Sequence, residues 1–107
     1  MSQSFEVWIG LVEIAPLPGS ITLNNKAAGA YASFLAWANG REEFCRLVAE
    51  CLARLELRFV EAEDVEPLLV RLEEHTINDE LLDFATEVRE MRQVRFGSFC
   101  TFPDERK

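Results

Sequence analysis

Residues 61–67 read EAEDVEP, four carboxylates in seven positions closed by a proline. Carboxylates at this density are the raw material of hard-cation sites, where several oxygens converge on one ion. On a strand, Glu61 and Glu63 project to one side with Cα atoms roughly 7 Å apart, and Asp64 and Glu66 project to the other. Two carboxylates and water suffice for a weak divalent site. No D-x-D-x-D-G loop accompanies them, and no second carboxylate cluster has the spacing of a recognised motif. Like charges along a strand also keep a sheet edge from pairing with other chains. The stretch is therefore read as a solvated strand end, with no metal expected.

His75 is the only histidine and follows Glu73 and Glu74. A neighbouring carboxylate favours its charged form, and histidine is the common general acid or base. No nucleophile motif stands beside it, so the plain reading is a surface residue in a polar connection. Cys45, Cys51 and Cys100 make an odd count with no C-x-x-C pair. Cys45 and Cys51 lie six apart on one predicted helix, about 600° of rotation, and face different ways. Buried free thiols are expected, and no zinc spacing is present. G-x-x-x-x-G-K-[ST], G-x-G-x-x-G and G-x-S-x-G are all missing, which leaves phosphate-loop binding and serine hydrolysis without support. No catalytic residue and no cofactor are expected.

The chain that must position these residues has 107 of them, room for one domain and one core. With 49% hydrophobic and 28% charged residues it is globular rather than disordered in composition. Residues 1–40 hold only Glu6, Glu13 and Lys26 as charges, so −7 of the net −8 falls on residues 41–107. Such a field repels phosphate backbones and favours a basic protein partner. The uncharged stretch of residues 14–25 contains two prolines and two asparagines and cannot span a membrane. Met1–Glu6 has no basic start or apolar run, so a cytoplasmic location is expected.

FEVWIGLVEI (5–14) and GAYASFLAWA (29–38) read as strands. Asn39 with Glu42 resembles a capping box that opens a helix to about Leu55, with Phe44, Val48, Cys51, Leu52 and Leu55 along its dry side. Glu42–Arg46 and Glu50–Arg54 are spaced as i,i+4 pairs. Leu57–Val65 is a third strand stopped by Pro67, and Leu68–Glu74 reads as a helical turn. Asn78-Asp79-Glu80 begins a helix to about Arg92, and Val94–Phe102 alternates as a last strand. Residues 20–23 alternate weakly, as a short extra strand or a lid.

This order predicts an α+β two-layer sandwich: a mixed sheet of four to five strands with the two main helices on one face. The second strand, first helix and third strand should make a right-handed crossover between parallel strands. The architecture is similar to the ferredoxin-like class, departing from its strict β-α-β-β-α-β order because two strands precede the first helix. If helices cover the face of Phe5, Val7, Ile9, Ala30, Ala32 and Phe34, the other face shows Trp8, Val12, Ile14, Tyr31, Leu35, Trp37 and Phe99. That is more contiguous apolar surface than a monomer leaves in water. Trp8, Val12, Tyr31, Leu35, Trp37 and Phe99 are thus the candidate interface or ligand-binding residues. A homodimeric, non-catalytic interaction module is the leading expectation. An acidic inhibitor or immunity-type protein that neutralises a basic partner is the second. A small-ligand protein or enzyme using Glu61, Glu63 and His75 is the third.

Overall fold

In the computed structural model, which describes residues 5–16 and 27–103, the elements are β1 (Glu6–Pro16), β2 (Ala27–Ala38), α1 (Arg41–Arg54), β3 (Leu57–Pro67), α2 (Leu68–Glu74), α3 (Asp79–Met91), β4 (Arg95–Phe96) and β5 (Cys100–Pro103). The sheet runs β3-β1-β2-β4, with β5 also on β2. Every pairing is antiparallel, so the expected mixed sheet is an antiparallel one among the described residues. β2 and β3 do share a direction, as the crossover through α1 requires, but β1 lies between them. With the sequence neighbours β1 and β2 paired at the centre, the ferredoxin-like order is not confirmed. The proposed strand or lid at 20–23 lies outside the described residues.

The register decides which residues share a face. Trp8 opposes Ala36, Gly10 opposes Phe34, Val12 opposes Ala32 and Ile14 opposes Ala30; Val7 opposes Trp37 and Ile9 opposes Leu35. Even-numbered residues of both strands therefore lie together, and odd with odd. The expected grouping crossed these sets, placing Val7 and Ile9 with the alanines. Because both strands are apolar on both sides, the residues carried no polar marker to fix their relative phase.

Both faces are covered. Phe44, Val48 and Leu52 of α1 pack on Val12, Ile14, Phe34 and the alanine row of β2. Leu68 of α2 and Ala85 and Val88 of α3 pack on Ile9 and Leu35 from the opposite side. The two-layer expectation is thus corrected to helix, sheet, helix. α1 alone covers one side, and the seven-residue α2 shares the other with the thirteen-residue α3.

Local signals acted with small shifts. The N-cap of α1 is Gly40, without a side-chain cap, and Glu43, not Glu42, reaches back to accept from the Asn39 N–H at 3.1 Å. Arg46 bonds Glu50 at 2.8 Å and lies 3.6 Å from Glu43, in place of the expected pairs with Glu42 and between Glu50 and Arg54. Asn78 caps α3, its Oδ1 accepting from the Leu81 N–H at 2.8 Å. The last strand is two pieces: Gly97 donates to the Ser33 carbonyl in the register of β4, and the pairing then slips by one residue before Cys100 opposes Tyr31. All three cysteines are free; Cys45 and Cys51 are half-buried, but Cys100 is exposed rather than buried.

β3 is bulged twice. Asp64 and Val65 together oppose Gly10, and Val60 is an extra residue between the Glu13–Glu61 and Ile14–Phe59 pairs. Asp64 takes a left-handed φ of 53°, as a bulge of this kind permits. Val65 is thereby turned onto the α1 face. A β-carbon on Gly10 would lie 2.9 Å from Val65 Cγ2 and 3.0 Å from Phe44 Cε2. Gly10 is the recess into which α1 docks. Gly10→Ala is expected to destabilise the fold by about 1–3 kcal/mol through overpacking, read from the urea midpoint at unchanged m-value.

Candidate functional site

The six candidate interface residues do not form one surface. Trp8, Val12 and Phe99 lie on the α1 side. There Val12 is fully buried, and Phe99 stacks on Phe96 with centroids 5.2 Å apart. Trp8 is partly buried, and its Nε1 is shielded from water without a partner among the described residues. Leu35 and Trp37 lie on the other side, where Leu35 is buried and Trp37 packs at the cluster's margin. Tyr31, also on this side, is exposed. Enclosure within the chain thus removes Val12 and Leu35 from any contact surface.

Trp37 is nonetheless placed at an opening. A groove of about 420 Å³ runs between α2 and α3, with Val7 and Trp37 from the sheet, Leu69 and Leu72 from α2, and Leu82 from α3 among its walls. Glu6 and Arg89 stand among the lining residues as opposite charges. Leu69 is 69% exposed and Leu72 39%. The helix that carries them is only seven residues long and buries only Leu68. An ion pair from Arg71 to Glu66 and a hydrogen bond from Arg71 to the Asp64 carbonyl hold α2 against the bulge of β3. The groove was missed at the sequence level, although LLVRL offered the signal: four apolar residues in five exceed what one side of a short helix can bury.

The third set of candidates is dispersed. Glu13, Glu61 and Tyr31 are linked across three strands, since Glu13 opposes both of the others. Glu63 lies beside them opposite Leu11, and Glu66 opposes Ile9. Glu61, Glu63 and Glu66 therefore share a side, where simple alternation put Glu66 on the other; the Asp64 bulge flips the parity. His75 caps the end of α2 and lines a separate cleft with Asp64, Glu66, Arg71 and Glu74. Neither Glu61 nor Glu63 reaches that cleft. Among the described residues no group of three or more His, Cys, Asp or Glu side chains could hold a metal ion.

A further groove of about 460 Å³ lies between the second half of α1 and the segment from Arg92 to Phe96. Burial pushes the Cys51 thiol in its wall above the ordinary range, with Arg54 and Arg95 pulling the other way. Arg92 closes α3 in a left-handed conformation with φ 57° and lays its guanidinium 4.1 Å from the centroid of the Trp37 ring. No helix is long and apolar enough to cross a membrane among the described residues. No protein-family model, curated protein or solved structure matches the chain.

Tyr31 gives this geometry a spectroscopic handle, being the only tyrosine. The Glu13 carboxylate, partial desolvation, and the Glu63 and Glu61 charges raise its pKa, and a hydrogen bond to Glu13 adds to the shift. A raised folded-state pKa favours the neutral phenol, so its stabilisation is complete below about pH 10 and lost as pH rises through the folded value. Ultraviolet titration is expected to place the midpoint above about 10, and Glu13→Gln to lower it.

Proposed function

We propose that this chain is a non-catalytic interaction module that pairs with a second copy of itself through the groove between α2 and α3. The observation that carries this reading is the apolar surface of α2, where Leu69 and Leu72 stand exposed beside the Trp37 floor. Contiguous apolar surface in a groove marks a contact site, whereas single exposed leucines do not. In a two-fold contact each residue i meets j while j meets i. The groove suits that symmetry, because Glu6 of one copy can meet Arg89 of the other. Trp37 supplies the large aromatic that such contacts centre on.

A second reading is favoured by a different surface. Glu61, Glu63 and Tyr31 are exposed beside Glu13 on the sheet, in a chain of net charge −8. A basic protein would be drawn to it, with a salt-sensitive association rate. This is the inhibitor-type function, in which the chain neutralises a basic partner.

Light scattering at micromolar concentration is expected to give twice the chain mass. Leu69→Asp should weaken association by on the order of 30-fold or more, the effect of losing about 2 kcal/mol at a central contact, while circular dichroism stays unchanged. A monomeric mass for the unaltered chain ends the dimer reading. The inhibitor reading expects capture of a basic protein that falls with added salt and with Glu61→Gln/Glu63→Gln; capture indifferent to both removes it.

A further inference from the structure

The groove beside α1 concentrates positive charge in a chain of the opposite sign. Of eleven basic residues in the sequence, three arginines, Arg54, Arg92 and Arg95, line it, against one acid, Glu50. Glu50 is already paired with Arg46 at 2.8 Å. The plain account of these arginines is dipole compensation, because α1 and α3 both end here. A helix C-terminus carries about half a negative charge. The two ends together offset about one guanidinium, and Glu87, 3.7 Å from Arg95 Nε, partly engages another. A positive remainder is left over.

Arg54 keeps all its donors, and Arg95 keeps part of its own. Arg54 makes no hydrogen bond or ion pair among the described residues. Arg95 donates Nη1 to the Val94 carbonyl at 3.3 Å, with Nη2 unassigned. A guanidinium matches the planar, two-pronged geometry of carboxylate and phosphate oxygens. Below these heads the wall is apolar: Leu47, Leu55, Val94 and Phe96. An inorganic ion would leave that surface empty, whereas an anion with a hydrocarbon body would use both parts.

We propose that this groove binds a small organic oxyanion, a carboxylate or phosphate monoester, with Arg54 and Arg95 on its head and the apolar wall along its body. Arg92 lines one end of the groove, but its guanidinium lies on the Trp37 ring and its Nε donates to the Arg89 carbonyl at 2.9 Å, so the head falls to Arg54 and Arg95. The half-buried Cys51 thiol lies in the same wall, within the electrostatic reach of both arginines. A bound molecule therefore covers a thiol whose alkylation can be followed.

Calorimetry on the full chain with octanoate and octyl phosphate distinguishes the two head groups, with inorganic phosphate as the bodiless probe. Saturable binding of at least one of the two is expected, with inorganic phosphate weaker by about tenfold or more for want of apolar burial. Arg54→Gln should weaken binding by about fivefold or more through the lost charge-assisted bond, and Arg54→Lys should recover part of it. Arg54 is exposed and unbonded, so these variants keep the fold. Mass-resolved labelling by N-ethylmaleimide should slow at Cys51 as the probe saturates, and Leu69→Asp in the other groove should bind unchanged. Absence of saturable binding, unchanged affinity in Arg54→Gln, or inorganic phosphate binding as tightly as octyl phosphate overturns the proposal. So does a loss in Leu69→Asp that Arg54→Gln does not share.

Discussion

The contact on which the rest of the structure depends is Phe44 of α1 on Gly10 of β1. Gly10 sits at the middle of the central pair, opposite Phe34 and beside the bulge that carries Val65. With no side chain there, the ring of Phe44 sinks between Phe34 and Val65 and is fully buried. The flanking residues of β2 on this side are Ala30, Ala32, Ala36 and Ala38, all buried, and their small size lets the helix lie close along the strand. Apart from Phe34, the large residues of β2 are on the other side, where Leu35 and Trp37 meet α2 and α3.

The bulge at Asp64 and Val65 joins the two sides mechanically. It turns Val65 toward Phe44 and Glu66 toward the opposite face, and it exposes the Asp64 carbonyl. Arg71 takes both Glu66 and that carbonyl. The charges of EAEDVEP thus serve as an anchor for α2 at one end and as a wet edge strand at the other. Edge protection by like charge and by bulges is a common device for keeping an outer strand from pairing with foreign chains. β3, the outer strand beside β1, uses both.

Much of the fold was legible from the residues. The start of α3 at Asn78, the Phe44–Val48–Leu52 stripe, the stop at Pro67 and the alanine face of β2 each follow from a local rule, and each is found in place. What escaped was phase and layering. FEVWIGLVEI and GAYASFLAWA are apolar on both sides, so nothing in them says whether Trp8 shares a face with Ala36 or with Trp37. A one-residue change of phase moves every side chain to the other face. The split of Trp8, Val12 and Phe99 from Tyr31, Leu35 and Trp37 is that ambiguity resolved. Bulges have the same effect within one strand, which is why alternation misplaced Glu66. The arginine groove was illegible for another reason. Arg54, Arg92 and Arg95 each look like a helix-end or strand-end cation, and only the meeting of two helix ends brings them together.

The exposed leucines of α2 are best understood through what holds them there. A seven-residue helix is too short to persist on its own hydrogen bonds. Left to its apolar residues alone, it would roll to bury Leu69 and Leu72 and expose less costly surface. Leu68 fixes one side against Ile9 and Leu35, and Arg71 fixes another against Glu66 and the Asp64 carbonyl. Those two attachments set the rotation of the helix, and in that rotation Leu69 faces outward. The arrangement commits a partly buried ion pair to keeping hydrophobic side chains in water beside Trp37. Such a pair adds little stability after its desolvation is counted, so its effect lies in orientation. In the proposed pairing, α2 needs no further ordering to present Leu69 and Leu72 beside Trp37, and that pre-organisation lowers the cost of association.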